Sequence, residues 1–526
     1  MPQLKNRPVV LIILDGWGVA PEAPGNAISQ AKTPHFDKYI STYPAMTLKA
    51  TSDFTDEKGS SEFGHLCIGT GRNFQKDLAR INNDIKTGDF FNNQAFLETI
   101  DYCKKNKSKL HLIGLLSNGG VHSHIAHLIA LLELAKKEKV KNIYIHVILD
   151  GWDTPYNSAK GFIEELLAKI KELKINAQIA TLAGRVYAMD RIGDWNKTEQ
   201  YFNTLTLGQS EQTFFDPLKA LEYYYDQEIY DDKILPTVIT NKGKPLAIIK
   251  DFDAVIFFNF RADRAKQLTK AFVLPEFNKF ARPSEFNNLF FCSFTNYDKG
   301  LPIDAIVYPN LKFKNPLSQC LSDHNFKQLH ITETEKFPHL TFYFNGKRNE
   351  PFENEDWLMV PSLKIDAYDK KPALVASQIT NKLLEILAEN KYDFIAVNYA
   401  NADLVSHTGN LKKTIKACQI VDKQLGKIIP FVLNKNGLVI ITADHGNAEE
   451  LQNIQIGDVN TTHSNNPVPF IVISNQLEGK NIGLPDSFGS DLSLFKPVGS
   501  LADIAPTILK IMDIEKPPKM TGKELI

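Results

Sequence analysis

The stretch Val9–Gly18 reads VVLIILDGWG. Its first six residues are apolar without a break, and the run stops at an acid, Asp15. A strand with one solvated face alternates apolar and polar side chains. A short unbroken apolar run is instead the pattern of a strand covered on both faces, as in parallel sheets. It is also too short, and too abruptly ended, for a signal peptide or a membrane span. Similar runs recur as LHLIGLL (110–116), IYIHVIL (143–149), AVIFFNF (254–260), FIAVNY (394–399), LVIITA (438–443) and PFIVIS (469–474). Between them lie stretches such as IAHLIALLELAKKEK (125–139) and AKGFIEELLAKIKEL (159–173), apolar at three- and four-residue intervals as in amphipathic helices. Strand–helix alternation over 526 residues predicts an α/β protein with largely parallel sheets, long enough for two or more domains.

Polar residues follow these runs closely: Asp15, Asn118, Asp150 and Asp153, Arg261, Asp403 and Asp444. Sites in open parallel sheets form just beyond the carboxyl ends of the strands. Any one such residue is as readily a turn former, but the recurrence, with so many acids and histidines, points to function. Net charge is −1, so no global field draws the chain to nucleic acid or membrane. The five cysteines are scattered without a CxxC pair, which argues against disulfides or a thiolate zinc site and suits a cytoplasmic protein.

The segment Asp56–Arg72, DEKGSSEFGHLCIGTGR, has little periodicity but many small and polar residues. It is not a phosphate-binding P-loop, because Thr70 follows Gly69 where that motif needs lysine. It is not a dinucleotide loop, because Phe74 stands where a third glycine belongs. Ser60 or Ser61 reads as the cap of a helix beginning near Glu62.

Further along, NADLVSHTGN (401–410) carries Asp403 and His407 four residues apart, on one face of a helical turn. TADHGNAEE (442–450) places Asp444 and His445 directly after a strand, and His463 lies in a turn-rich loop. Singly, these read as a helix cap, a surface histidine and a turn histidine. With Asp15 they form a mixed oxygen and nitrogen set suited to Mn²⁺ or Zn²⁺, too many ligands for one open four-coordinate ion and suited to two. A serine beside two such ions is activated as a nucleophile, which makes Ser61 a candidate. A second set offers anion recognition: His122 and His124, Arg185 and Arg191, and Arg261 and Arg264, the last two spaced to share a helical face. Lys336, in TETEKFPHLTFYFNG, is a further candidate.

These motifs together resemble cofactor-independent phosphoglycerate mutase, of the alkaline phosphatase superfamily. The resemblance rests on LDGWG (14–18), SEFGHLCIGTGR (61–72), GGVHSH (119–124), GRVYAMDR (184–191), NFRADRA (259–265), EKFPHLTFYFNG (335–346), ADLVSHTGN (402–410), TADHGNAE (442–449) and HSNNPVP (463–469). It implies a phosphatase-like metal-binding domain from 1–76 and 311–526, with an inserted α/β transferase domain over 77–310. By resemblance one ion takes Asp403, His407 and His463, and the other Asp15, Ser61, Asp444 and His445. The ions are expected to be Mn²⁺, with Zn²⁺ or Co²⁺ as alternatives. Lys336 is expected beside the nucleophile, and His122, Asp153, Arg185, Arg191, Arg261 and Arg264 around the substrate. The implied reaction interconverts 3- and 2-phosphoglycerate in glycolysis and gluconeogenesis, through phosphorylated Ser61, without 2,3-bisphosphoglycerate. Asp153 is the candidate base for the return step, and domain closure keeps water out. The resemblance implies a monomer acting on a small molecule, with no nucleic-acid or membrane partner.

Four positions depart from the family pattern. Trp152 stands in place of a substrate-binding arginine, Ser60 of an asparagine, Asn118 of an aspartate and Ser406 of a glycine beside His407. Tryptophan donates one N–H and carries no charge. Loss of a bidentate charge-assisted contact costs roughly 1.5–3 kcal/mol, or about ten- to a hundredfold in binding. On this reasoning Trp152→Arg is expected to lower KM for 3-phosphoglycerate. Two other readings stand beside the mutase: a metal-dependent phosphatase or phosphomutase acting on another small phosphate ester, and a catalytically silent metabolite-binding protein.

Overall fold

The computed structural model describes residues 8–51, 59–282, 286–311, 313–452, 457–480 and 491–526, so Asp56–Lys58 of the serine-rich stretch lie outside the described residues. The chain divides into two compact units: Met1–Phe74 with Lys312–Ile526, and Gln75–Leu311 between them in sequence. Both are α/β, with largely parallel sheets.

In the first unit, Val9–Leu14 is an interior strand, parallel to Phe394–Tyr399 on one side and Leu438–Thr442 on the other. Every residue of the three strands is buried, which is what an unbroken apolar run requires. Each fully buried Val, Ile or Leu side chain contributes about 1.5–3 kcal/mol relative to exposure. The sheet continues through Gln328–Glu333 to Glu355–Val360 at one edge. At the other it continues through Val468–Ile473 and Ala45–Lys49 to the short Gly499–Ser500. Val468–Ile473 departs from the parallel pattern and runs antiparallel to both neighbours. No helix lies between it and Leu438–Thr442 among the described residues, so the chain lacks the crossover that a parallel neighbour needs.

The three interior strands end at one level, since Leu14 pairs with Tyr399 and Ile13 with Thr442. Asp15, Asp403 and Asp444 therefore emerge together at the carboxyl edge.

The second unit has its own sheet, ordered Ala305–Tyr308, Phe290–Thr295, Ala254–Phe257, Leu110–Leu116, Ile143–Leu149, Ala177–Gly184, Thr237–Asn241 and Thr213–Phe214. The first six strands are mutually parallel; Thr237–Asn241 runs antiparallel to Ala177–Gly184. The helices expected over 125–139 and 159–173 form as Ile125–Lys137 and Ala159–Leu173. The apolar run 254–260 leaves the sheet early, after Phe257. Beyond that point the Asn259 side-chain carbonyl accepts from the Leu115 N–H at 2.9 Å, so a side chain serves where a strand backbone would. Arg261 and Arg264 share no helical face: both precede the helix Lys266–Val273.

Ile12 is fully buried in the middle of the first sheet. Ile12→Ala should lower the stability of this unit by about 2–5 kcal/mol in denaturant unfolding. A loss below about 1 kcal/mol, the scale of a surface change, would contradict an interior position covered on both faces.

Candidate active site

The serine-rich segment opens a helix, Ser61–Thr70. Of the two adjacent serines Ser60 is the cap: its backbone is extended and its Oγ accepts from the Phe63 N–H at 3.3 Å. A serine caps as well as the asparagine it replaces. Ser61, first in the helix, is thereby free of capping. Its Oγ lies 2.9 Å from His445 Nε2, 2.8 Å from Lys336 Nζ and 3.4 Å from Asp15 Oδ1. Gly64 permits this approach, since a Cβ there would stand 2.3 Å from the Asp444 carbonyl oxygen.

Around Ser61 the strand ends deliver a buried cluster. Lys336 Nζ donates to Asp15 Oδ1 at 2.7 Å and Asp403 Oδ2 at 2.6 Å. Burial alone would lower the Lys336 ammonium, but Asp15, Asp403 and Asp444 outweigh it and hold it above its ordinary range. Burial likewise opposes ionisation of Asp403 and Asp444, yet both carboxyls sit below their ordinary range, Asp403 through Lys336 and Asp444 through His445 and His65.

The imidazoles face the carboxylates with one nitrogen each. His407 Nδ1 is 2.8 Å from the Thr461 carbonyl and His463 Nδ1 is 2.9 Å from the Gly59 carbonyl, contacts that assign the ring proton to Nδ1. That leaves a lone pair at each Nε2. These two atoms are 3.2 Å apart, and lie 3.2 and 3.3 Å from Asp403 Oδ1. On the other side His445 Nε2 is 3.4 Å from Asp444 Oδ2 and 3.7 Å from Asp15 Oδ1. Ligand atoms of Asp403, His445 and His463, and of Asp15, Asp444 and His445, fall within 4.8 Å of one another in each group. Asp444 Oδ2 is buried with no hydrogen-bond donor. With the rings neutral, imidazole nitrogens and carboxylate oxygens converge here, and such a borderline oxygen and nitrogen donor set suits divalent cations.

Behind these residues lies a layer that the motifs alone do not single out. His65 Nδ1 is 2.8 Å from the Ser61 carbonyl and 3.2 Å from Asp444 Oδ2, while its Nε2 meets Asn398 Nδ2 at 3.0 Å. Asn398 also donates to Asp15 Oδ2 at 2.8 Å, and Asn447 to Asp403 Oδ1 at 2.8 Å. Glu449 accepts the Gly18 and Asn447 backbone N–H groups and Ser464 Oγ. Signals for two of these are present in the chain: His65 is four residues after Ser61, and Asn398 is a polar residue inside a buried apolar run. Ser406, which replaces a glycine beside His407, donates to the Ala402 carbonyl at 2.6 Å within its own helix. Asn118 is exposed, and nothing in the structure explains its replacement of an acid.

A second cluster forms at the carboxyl ends of the second unit's strands. Arg185 is buried, with Nη1 at 2.5 Å from Asp150 Oδ1 and 2.8 Å from Asp153 Oδ2. Asp263, unremarkable in the sequence, links Arg191 Nη1 at 3.0 Å and Arg261 Nε at 3.2 Å. It lies 3.7 Å from His122 Nδ1, and neither that nitrogen nor Asp263 Oδ1 has a hydrogen-bond partner. Burial, and then the Arg185 guanidinium, push the His122 imidazole down to about 4, so it is neutral at neutral pH. Arg264 donates to the Met189 carbonyl at 3.3 Å. His124, by contrast, caps the helix Ile125–Lys137 through the Ala126 N–H. The rest bring together guanidinium and imidazole groups suited to a small anion.

Comparison with known proteins agrees with these motifs. A family profile described as the BPG-independent PGAM N-terminus matches residues 81–299. The 2,3-bisphosphoglycerate-independent phosphoglycerate mutase of Clostridium perfringens SM101 is 43% identical over 527 residues, covering 99% of this chain and 100% of its own. The protein of the same description from Chloroflexus aggregans is 42% identical, over 99% of this chain and 98% of its own. Among solved structures, Leishmania mexicana phosphoglycerate mutase at low cobalt concentration aligns with a TM-score of 0.64 at 29% identity, covering 99% and 98% of the two chains. Similarity at this level over the full length places the chain in the 2,3-bisphosphoglycerate-independent phosphoglycerate mutase family.

Proposed function

We propose that this chain interconverts 3-phosphoglycerate and 2-phosphoglycerate through a phosphoserine at Ser61, without 2,3-bisphosphoglycerate. The observation that carries the proposal is the position of Ser61 Oγ, within 2.9 Å of both His445 Nε2 and Lys336 Nζ among converging carboxylates. The first unit then supplies the phosphoryl chemistry, and the inserted unit holds glycerate. The site would hold two divalent ions, Mn²⁺ or alternatively Zn²⁺ or Co²⁺, with Asp403, His407 and His463 on one and Asp15, Ser61, Asp444 and His445 on the other. When bound, such ions neutralise charge on the attacking and transferring oxygens.

In the forward step Ser61 Oγ forms a bond to phosphorus as the bond from phosphorus to the 3-oxygen of glycerate breaks. Glycerate leaves carrying the proton that Ser61 gives up. Lys336, which already donates to Ser61 Oγ, stabilises charge on that oxygen and on the phosphoryl group. Arg185, Arg191, Arg261 and Arg264 hold the carboxylate and phosphate by paired N–H donors, and neutral His122 offers one further polar contact. In the return step Asp153 takes the proton of the 2-hydroxyl, that oxygen bonds to phosphorus, and Ser61 Oγ departs, taking up one proton as Asp153 gives one up, which restores both groups. The enzyme is proposed to act as a cytoplasmic monomer in glycolysis and gluconeogenesis. No helix among the described residues is long and apolar enough to cross a membrane.

The deciding experiment incubates purified protein with Mn²⁺ and 3-phosphoglycerate in the absence of 2,3-bisphosphoglycerate and follows both 2-phosphoglycerate and inorganic phosphate. The expected result is isomer without phosphate, abolished in a folded Ser61→Ala variant. Phosphate without isomer would support a phosphatase instead. Chelation should remove activity and divalent ions, Mn²⁺ foremost, should restore it; full turnover in metal-stripped protein would refute the two-ion site. Gly64→Ala should push the helix that carries Ser61 off Asp444 and cost about tenfold or more in kcat, as expected for displacing a reacting group by an ångström. Unchanged kcat would show that the contact between helix and strand end does not position the nucleophile.

A further inference from the structure

Trp152 is 51% exposed, unusual for so large an apolar side chain beside a charged pocket. Its surroundings account for it. The Arg185 and Arg264 guanidinium carbons each lie over the indole, 4.7 Å from the ring. The indole N–H donates to Asp232 Oδ2 at 2.8 Å, and the Trp152 backbone N–H to Asp150 Oδ1 at 3.2 Å. The residue is thus held at its indole and backbone N–H groups and offers its ring to two cations.

The two arginines depend on it unequally. Arg185 is buried and already tied to Asp150 and Asp153. Arg191 and Arg261 are tied to Asp263. Arg264 makes no carboxylate ion pair among the described residues; its fixed contacts are the Met189 carbonyl and the Trp152 ring. Burial, then Arg191 and Arg185, already disfavour its charge. An aromatic face attracts each guanidinium through its negative quadrupole without bringing a charge of its own.

We propose that Trp152 is a positioning residue that orients Arg264 for the substrate anion, with Asp232 anchoring the indole. This inference rests on the mutase reading for its substrate, but the orientation itself is a property of the ligand-free protein. Replacing the indole by any non-aromatic side chain takes from Arg264 the ring that supports it.

The test compares the Mn²⁺-loaded wild type with Trp152→Ala and Trp152→Phe. A cation–π contact beside a partly exposed ring is worth about threefold to thirtyfold in binding. Trp152→Ala should raise KM by that factor while kcat falls by less, and Trp152→Phe, which keeps a ring, should recover most of the loss. In ligand-free protein the Arg264 side-chain N–H resonance should carry a ring-current shift that Trp152→Ala removes. Loss of that shift supports the inference even where no mutase turnover is found, so its fate is separable from that of the proposed function. An unshifted Arg264 resonance or a KM unaffected by Trp152→Ala would overturn it.

Discussion

Burial of three carboxylates in one patch is the constraint on which the first unit depends. Asp15, Asp403 and Asp444 are each no more than 1% exposed and emerge from neighbouring parallel strands that end at one level. Like charges taken out of water repel and are costly unless paired and hydrogen-bonded. The surroundings answer that cost. Lys336 reaches Asp15 and Asp403, and Gly16, Asn398 and Asn447 donate to three further oxygens, which leaves Asp444 Oδ2 alone without a donor. The imidazoles of His407, His445 and His463 turn their Nε2 atoms towards the same acids. The arrangement that makes the patch tolerable also makes it reactive, because the hydroxyl of Ser61 sits among its cations and lone pairs.

The proposed nucleophile, Ser61, is placed by two separate devices. Ser60 takes the capping role, which releases Ser61 to face the acids. Gly64, one turn later, lets the helix close onto the Asp444 backbone. His65 then joins the helix to the strand ends, touching the Ser61 carbonyl, Asp444 and Asn398 together. Ligands whose orientation is held by such outer partners are pre-organised, and little reorganisation is left for the moment of reaction.

The second unit solves a different problem, the holding of several guanidinium groups close together before any substrate arrives. Asp150, Asp153 and Asp263 balance three of them, and the Trp152 ring, anchored on Asp232, carries the remaining one. Aromatic and carboxylate partners do this differently: a carboxylate competes with an anionic substrate for the same N–H donors, whereas a ring leaves the edge of the guanidinium available.

Much of this is legible along the chain. Unbroken apolar runs identify buried parallel strands, and the acids and histidines that come after them mark the proposed metal-ligand and anion-binding sets, because short-range pattern and residue chemistry are properties of sequence. Other features are not. The choice of Ser60 over Ser61 as cap turns on which hydroxyl reaches the Phe63 N–H. The strand ends at Phe257, with Asn259 reaching Leu115, and the next helix begins only at Lys266, after Arg261 and Arg264. Asp263 and Asp232 look like ordinary surface acids until the fold brings them to Arg191, Arg261 and Trp152. Trp152 itself reads as a lost charge, and only its neighbours show an aromatic support for two others. Local pattern in the chain specifies which elements form and which chemistry they carry. Which side chain serves which partner is settled only by the tertiary structure, because it depends on distances between segments far apart in the chain, and no local pattern encodes them.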